Sequence, residues 1–350
     1  MPPLLRVLLL PFSWLYALVM AVRNKLYDLN LKKTHRFPVP VLSVGNLAVG
    51  GTGKTPHVEY LVRLLQPRYQ VATLSRGYGR QTKGFRLAGP ADTADTLGDE
   101  PCQLYRKFAP AVTVAVGERR AAAIPALLQA HPATDVIILD DAYQHRSVTP
   151  RLSILLTDYH RPFFRDHVLP AGRLREARRG AGRTHVVIVT KCPGDLDAAE
   201  RQSITAAVRR YARPEVPVFF TGIRYGAPVA FGSGAAFHPD VVLVSGLANQ
   251  APLEGYVRGQ FRLLAHLAFR DHHRYGAADL HRMEGALAET GGRALLVTEK
   301  DYVKLLSPDF AGFTGRLPFF YLPMEIFFLE GGSRFDALVH RAGFSQTSGA

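Results

Sequence analysis

Cysteine is scarce in this chain of 350 residues, where Cys102 and Cys192 are the only two. Their spacing suits neither a disulfide framework nor a thiolate metal cluster, so a reducing compartment is expected. Acidic residues are also in short supply, with 29 Asp plus Glu against 43 Lys plus Arg and a net charge of +14. Such an imbalance favours polyanionic partners: nucleic acid, anionic lipid or phosphorylated substrates. The sequence lacks both the aromatic stacking motifs of an RNA-binding module and any helix-turn-helix spacing, so nucleic acid is not the expected partner. Apolar residues are plentiful at 47%, with 21% charged, which excludes a disordered chain. The length suits two domains.

An unbroken apolar run of about 20 residues is missing as well. Leu4 to Val22 comes near but is interrupted by Arg6, Pro11 and Ser13, and is followed by Arg23, Lys25, Lys32, Lys33 and Arg36. With Pro11 dividing the run, an interfacial, monotopic anchor flanked by basic residues fits better than a spanning helix. Trp14 and Tyr16 are residue types that settle at headgroup level. A cleaved signal peptide would send a nucleotide-binding chain to a compartment without ATP, and a buried core helix remains the other alternative.

From Phe37 onward, short apolar runs alternate with helical patterns. Val39 to Val44, Gln70 to Leu74, Val112 to Val116, Val136 to Leu139, Ser153 to Thr157 and His185 to Thr190 read as buried parallel strands, being continuous rather than alternating. A doubly wound sheet follows. The Gly- and Pro-rich stretch Phe219 to His238 reads as a connection to a second α/β unit, with strands at Val241 to Ser245 and Ala294 to Thr298 and a helix from Ala277 to Thr290. The expected fold class is therefore α/β, a P-loop parallel-sheet domain with a smaller α/β domain and an N-terminal membrane-associated helix. The expected boundaries are 1–30 for the helix, 31–225 for the P-loop domain and 226–335 for the smaller domain. The tail Ser345 to Ala350 is expected to fray.

Val44 to Thr55 carries the strongest chemical signal, a glycine-rich loop between a strand and a helix. Gly50, Gly51, Thr52 and Gly53 let backbone N–H groups cradle phosphate oxygens at a helix N-terminus. Lys54 reaches the β- and γ-phosphates and Thr55 offers a hydroxyl to Mg²⁺. Ala48 stands where the usual pattern has glycine. Asp140 and Asp141 end the strand Val136 to Leu139 at its carboxyl end, where ligands bind in parallel sheets. Neighbours on a strand face opposite ways. Both cannot do the same job unless the strand ends between them; Asp140 is expected on the metal side, directly or through water, and Asp141, also a catalytic candidate, in the loop or the metal shell. Nucleoside triphosphate binding with Mg²⁺ is expected, while the acceptor stays open.

Several separated motifs then resemble one family. They are Ser43 to Leu47 running into Gly50 to Pro56, Ser75-Arg76-Gly77-Tyr78-Gly79, Gly98-Asp99-Glu100-Pro101, Asp140 to Arg146, Leu169 to Glu176, Phe269 to Tyr275 and Thr298-Glu299-Lys300-Asp301. The chain resembles, over nearly its whole length, the tetraacyldisaccharide 4′-kinases, in which the Ala48 departure is ordinary. Where that family often has Gly-Phe after the paired aspartates, this chain has Ala142-Tyr143. The resemblance implies two α/β/α domains joined by a hinge and ATP as phosphate donor. It implies an acylated disaccharide 1-phosphate as acceptor, at the cytoplasmic face of the bacterial inner membrane, and a peripheral monomer on that anionic surface. It also implies that Asp99 is the catalytic base, assisted by His272 of the His272-His273 pair. A P-loop switch or assembly ATPase without a phosphorylated lipid product is the alternative.

From residue type alone, Asp99 or Glu100 could equally cap a helix starting at Pro101. His272 could orient Asp99 or relay its proton, in a dyad spanning the two domains. Arg173, Arg175, Arg178, Arg179 and Arg183 form a cluster suited to phosphate. Within it, Arg175 and Glu176 are expected to face the site, and Gln144, His145 and Arg76 to help position substrate. Thr190-Lys191 is followed by Pro193 where a guanine-reading aspartate would stand, so GTP specificity is not expected.

Overall fold

The computed structural model describes residues 3–344; Met1, Pro2 and the tail expected to fray lie outside the described residues. Contacts divide the chain into two compact units, one of residues 1–76, 110–223 and 326–350, the other of 77–109 and 224–325. These differ from the expected boundaries in three places, the first being that the N-terminal helix is not a unit of its own. The stretch 77–109 belongs with the second unit, and the chain returns to the first at Ile326.

In the first unit the central strands are Val218–Tyr225, Val186–Thr190, Leu152–Asp158, Val41–Asn46, Val136–Asp140, Val71–Ser75 and Thr113–Val116, in that spatial order and all parallel. Burial on both faces explains their continuous apolar sequences. Val41–Asn46 sits mid-sheet between Leu152–Asp158 and Val136–Asp140. The chain leaves it for one flank and later crosses to the other, the switch point where open α/β sheets bind ligands. Val218–Tyr225 overlaps the stretch Phe219 to His238 that reads as a linker. Gly222 there is a packing residue, since a Cβ would lie 2.5 Å from the Phe327 ring. Helix Gly332–Phe344 closes the unit, burying Phe335 and Val339, and Tyr60 on helix Lys54–Leu65 donates to Asp336 at 2.8 Å.

Helix Pro3–Asp28 belongs to the same unit and runs unbroken through Pro11, correcting the expected division. Pro11 lies in the third turn, where it removes one N–H and its bond to the carbonyl four residues back, while the turns on either side hold. Within it, Val7–Asp28 is long and apolar enough to cross a membrane. Its two faces differ. Ser13 accepts from Ala171 N at 2.9 Å, Tyr16 donates to Arg175 O at 3.1 Å, and Arg23 donates to Gln144 O at 2.8 Å. Tyr16 thus turns to protein rather than to headgroups. Phe12, Trp14, Leu15, Leu18 and Val19 stay exposed, Trp14 at 68%.

The second unit holds a five-stranded sheet in the order Arg262–Phe269, Asp240–Gly246, Ala294–Thr298, Phe319–Leu322 and Val229–Ala230; the last is antiparallel to its neighbour and the rest are parallel. Helix Ala277–Thr290 packs on one face through Leu280, Met283 and Leu287. Helices Asp99–Phe108 and Glu299–Leu305 pack together, joined by a Lys107–Glu299 ion pair of 2.6 Å.

Candidate active site

The phosphate loop leaves strand Val41–Asn46 and enters helix Lys54–Leu65 through Gly53, whose φ of 78° places it in the left-handed region; Gly50 has φ 106°. Ala48 takes no such conformation and pairs with Leu174, so glycine is not required there. Neighbouring segments brace the loop. Val49 N donates to Arg173 O at 2.8 Å, Arg175 N to Leu47 O at 2.7 Å, and Thr190 Oγ1 to Thr52 O at 3.0 Å. Asn46 donates to Thr52 Oγ1 at 2.9 Å. Lys191 donates to Gly51 O and pairs with Asp158 at 2.7 Å, a prop that the sequence reading missed. Its position after the strand Val186–Thr190 was the available signal. His57 spans Gly53 O at 2.7 Å and Thr221 Oγ1 at 3.1 Å, and burial pushes its pKa down to about 4.

Strand Val136–Asp140 ends between the two aspartates, so strand alternation no longer dictates that they point opposite ways. Asp140 is buried and in register with Val44, beside the strand that feeds the loop. Asp141 has φ 48° and turns its carboxylate to Lys54 at 3.7 Å and Arg175 at 2.8 Å. Burial would raise its pKa, but Lys54 and Arg175 outweigh it and hold the group below the usual carboxylate range. Gln144 links this cluster to the strand end, donating to Asn46 O at 2.9 Å and accepting from Arg175 at 3.4 Å. Glu176 faces inward instead: it is buried and accepts from Arg183 at 2.8 Å, Asn24 at 2.8 Å and Gln144 at 3.2 Å. Arg183 also lies over the Tyr143 ring, and Arg178 donates to Asp166 O, so both have structural partners, while Arg173 and Arg179 are exposed. His145 is half-buried, its pKa pushed down to about 4 by burial and by Arg120, Arg76 and Arg23, so it stands neutral. Arg76 is exposed and acts there through its charge. Arg120, also missed, is wholly buried and reaches Asp140 O at 3.5 Å.

Thr55 and Asp140 offer one hydroxyl and one carboxylate. Few, hard oxygen donors suit Mg²⁺, which fills its octahedron with water and phosphate oxygens.

In the second unit, Gly98 has φ 95°, and a Cβ there would meet Tyr78 O at 2.8 Å, so only glycine fits before Asp99. Gly98 is itself the residue that precedes the first helical turn, and Asp99 makes no side-chain cap. The Asp99 Oδ2 instead lies 3.0 Å from His272 Nδ1. Both residues belong to the same unit, so the pair is internal to it rather than spanning the two, because the stretch 77–109 packs with 224–325. His272 has φ 56°, an uncommon conformation that concentrates at functional sites. His273 turns away, bonding Asp279 at 2.9 Å and stacking on Phe269. Lys304 and Lys300 lie 3.7 and 3.8 Å from Asp99 Oδ2. Burial would raise the Asp99 pKa, yet the His272 hydrogen bond and the two ammonium groups hold it low. A carboxylate that stays ionised next to an imidazole can accept a proton from an alcohol.

A family profile described as Tetraacyldisaccharide-1-P 4'-kinase matches residues 5–342. The chain is 42% identical over 341 residues to the tetraacyldisaccharide 4'-kinase of Bacteroides thetaiotaomicron, covering 92% of this chain and 89% of that protein. It is 39% identical over 354 residues to that of Flavobacterium psychrophilum, covering 99% of both. The crystal structure of LpxK from Aquifex aeolicus in complex with ATP superposes with a TM-score of 0.75 at 29% identity, covering 97% of this chain and all of that one.

Proposed function

The chain belongs to the tetraacyldisaccharide 4′-kinase family, and from that premise we propose that it moves the γ-phosphate of ATP to the 4′-hydroxyl of an acylated disaccharide 1-phosphate, with Asp99 as base, on the cytoplasmic face of a bacterial inner membrane. The observation that carries the residue assignment is the Asp99–His272 pair, 3.0 Å apart and set by a left-handed His272 and an obligatory Gly98.

Phosphoryl transfer through a loose transition state asks mainly for positioning and charge neutralisation. The loop amides from Gly50 to Gly53 hold the phosphates, and Lys54 carries positive charge to the group in transit. Asp141 keeps Lys54 and Arg175 together. The 4′-oxygen bonds to phosphorus as the bond from phosphorus to the β,γ-bridging oxygen breaks; ADP leaves and the hydroxyl proton passes to Asp99. A base held below its usual pKa suits a nucleophile that keeps its proton until late. Magnesium, held by Thr55 and Asp140 with the nucleotide, would neutralise charge on the β- and γ-phosphate oxygens.

The helix Pro3–Asp28 supports a monotopic seat. One face is bonded to loops of its own unit, so it cannot be ringed by lipid, while the opposite apolar face is open. Replacing Leu15, Leu18 and Val19 by serine should release the protein from vesicles of anionic lipid while leaving ATP binding intact; unchanged sedimentation with vesicles rejects the seat.

The decisive assay supplies purified protein with γ-labelled ATP and the acylated disaccharide 1-phosphate in mixed micelles. Label on the lipid, located at the 4′ position by NMR, is the expected result. ATP hydrolysis that leaves the lipid unlabelled would favour a switch ATPase.

A further inference from the structure

Lys300 crowds the Asp99–His272 pair and has no part in the mechanism above. Its Nζ lies 2.9 Å from Asp271 Oδ1, 3.3 Å from His272 Nε2 and 3.4 Å from Glu100 Oε1. Helix Glu299–Leu305, capped by Thr298 through Asp301 N, presents Lys300 and Lys304 one turn apart on the same face. Burial works against the ammonium, but Glu100, Asp271 and Asp99 outweigh it and keep Lys300 charged. An ammonium has three donors and no acceptor. It can meet Nε2 only by donating, which makes Nε2 the lone-pair nitrogen and leaves the ring's proton on Nδ1, facing Asp99.

We propose that Lys300 is a positioning residue for the phosphoryl transfer: by donating to His272 Nε2 it fixes the imidazole in the tautomer that donates from Nδ1 to Asp99, and so holds Asp99 as the carboxylate that takes the acceptor proton. The proposal rests on the assignment of Asp99 as base.

It has a pH consequence. The groups facing His272 are Asp99, Glu100, Asp271, Lys300 and the Tyr78 ring at 5.1 Å, with Lys304 acting through Asp99. The Asp99 hydrogen bond raises the His272 pKa, burial and Lys300 oppose that, Glu100 and Asp271 add to it, and the net result lies above the ordinary imidazole value. A second ring proton must enter at Nε2, against the Lys300 ammonium. Removing that charge lets the imidazolium form at higher pH.

Nitrogen NMR of histidine-labelled protein, with His272 assigned by its absence in His272→Gln and read on the alkaline side of its titration, should show a protonated Nδ1 and an unprotonated Nε2. A protonated Nε2 in the native protein overturns the proposal without any variant. In Lys300→Met, kcat should fall about 10- to 100-fold, with KM for both substrates unchanged and the acid limb of the pH profile moved to higher pH. Lys300→Arg, which keeps a charged donor, should restore the limb. A fall in kcat with tautomer and acid limb unmoved means Lys300 only supports the fold, and the proposal fails. Full turnover in Asp99→Ala would instead remove the base assignment on which it rests.

Discussion

The surroundings of Lys54 and of Asp99 are built on opposite principles. Around Lys54 the work is done by consecutive residues and by backbone: glycine conformations, a Val49 amide bonded to the Arg173 carbonyl, and loop carbonyls braced by Thr190 and Lys191. Around Asp99 it is done by side chains from three distant stretches, with two lysines and a histidine set against Asp99, Asp271 and Asp301. A site made of backbone tolerates a side-chain change such as Ala48, provided the turn survives. A site made of balanced charges does not, because removing one member leaves its partners buried and uncompensated.

The sharpest test of that contrast is Asp99→Ala, which should lower kcat by about 10²- to 10⁴-fold while ATP affinity stays within about twofold, a change too small to count as lost binding. Calorimetric titration of nucleotide against the variant would break the comparison if affinity collapsed with turnover. Lys54→Ala should cost about 10²- to 10³-fold in kcat, as for loss of one charge-stabilising donor, and should weaken ATP binding as well. Equal ATP affinity in that variant would mean that the backbone alone holds the phosphates.

A smaller effect concerns stability. His57 has its folded pKa lowered to about 4 from an ordinary 6.5. The unfolded chain therefore binds more protons between these values, so stability present above pH 6.5 is lost as pH falls towards 4, by up to ~3 kcal/mol. Thermal melts from pH 7 to pH 4 should show a steeper decline for the native protein than for His57→Gln. At the bottom of the scale, Arg316→Ala removes a surface pair with Glu284, and unfolding free energy should change by less than about 1 kcal/mol. A larger loss would show that this face carries more than solvent contact.

The nucleotide unit was largely legible because its strands are buried on both faces and read as apolar runs, and because the loop compresses its chemistry into one stretch. Val136–Asp140 and Leu152–Asp158 lie within a residue of where the pattern puts them. Val218–Tyr225 was missed because Gly222 looks like a turn signal when it is a site of close ring packing. The Asp99–His272 pairing came from resemblance, since residues 173 positions apart leave no periodic trace. Lys304 went unremarked and Lys300 stood only as a letter in the Thr298–Asp301 motif, with no role, because two lysines on a short helix ordinarily face water. Their burial depends on the packing of helices Asp99–Phe108 and Glu299–Leu305, which local pattern does not encode.

The route of the chain through the first unit has a consequence for synthesis. Tyr60, on the helix that opens at Lys54, finds its hydrogen-bond partner at Asp336, and Phe335 and Val339 fill the same unit. A ribosome stalling near residue 330 would release a polypeptide holding every phosphate-loop residue but missing the helix that completes their scaffold. Such fragments should hold nucleotide poorly and be cut readily by proteases, because the helix that opens at Lys54 is propped only once residues 332–344 have been added.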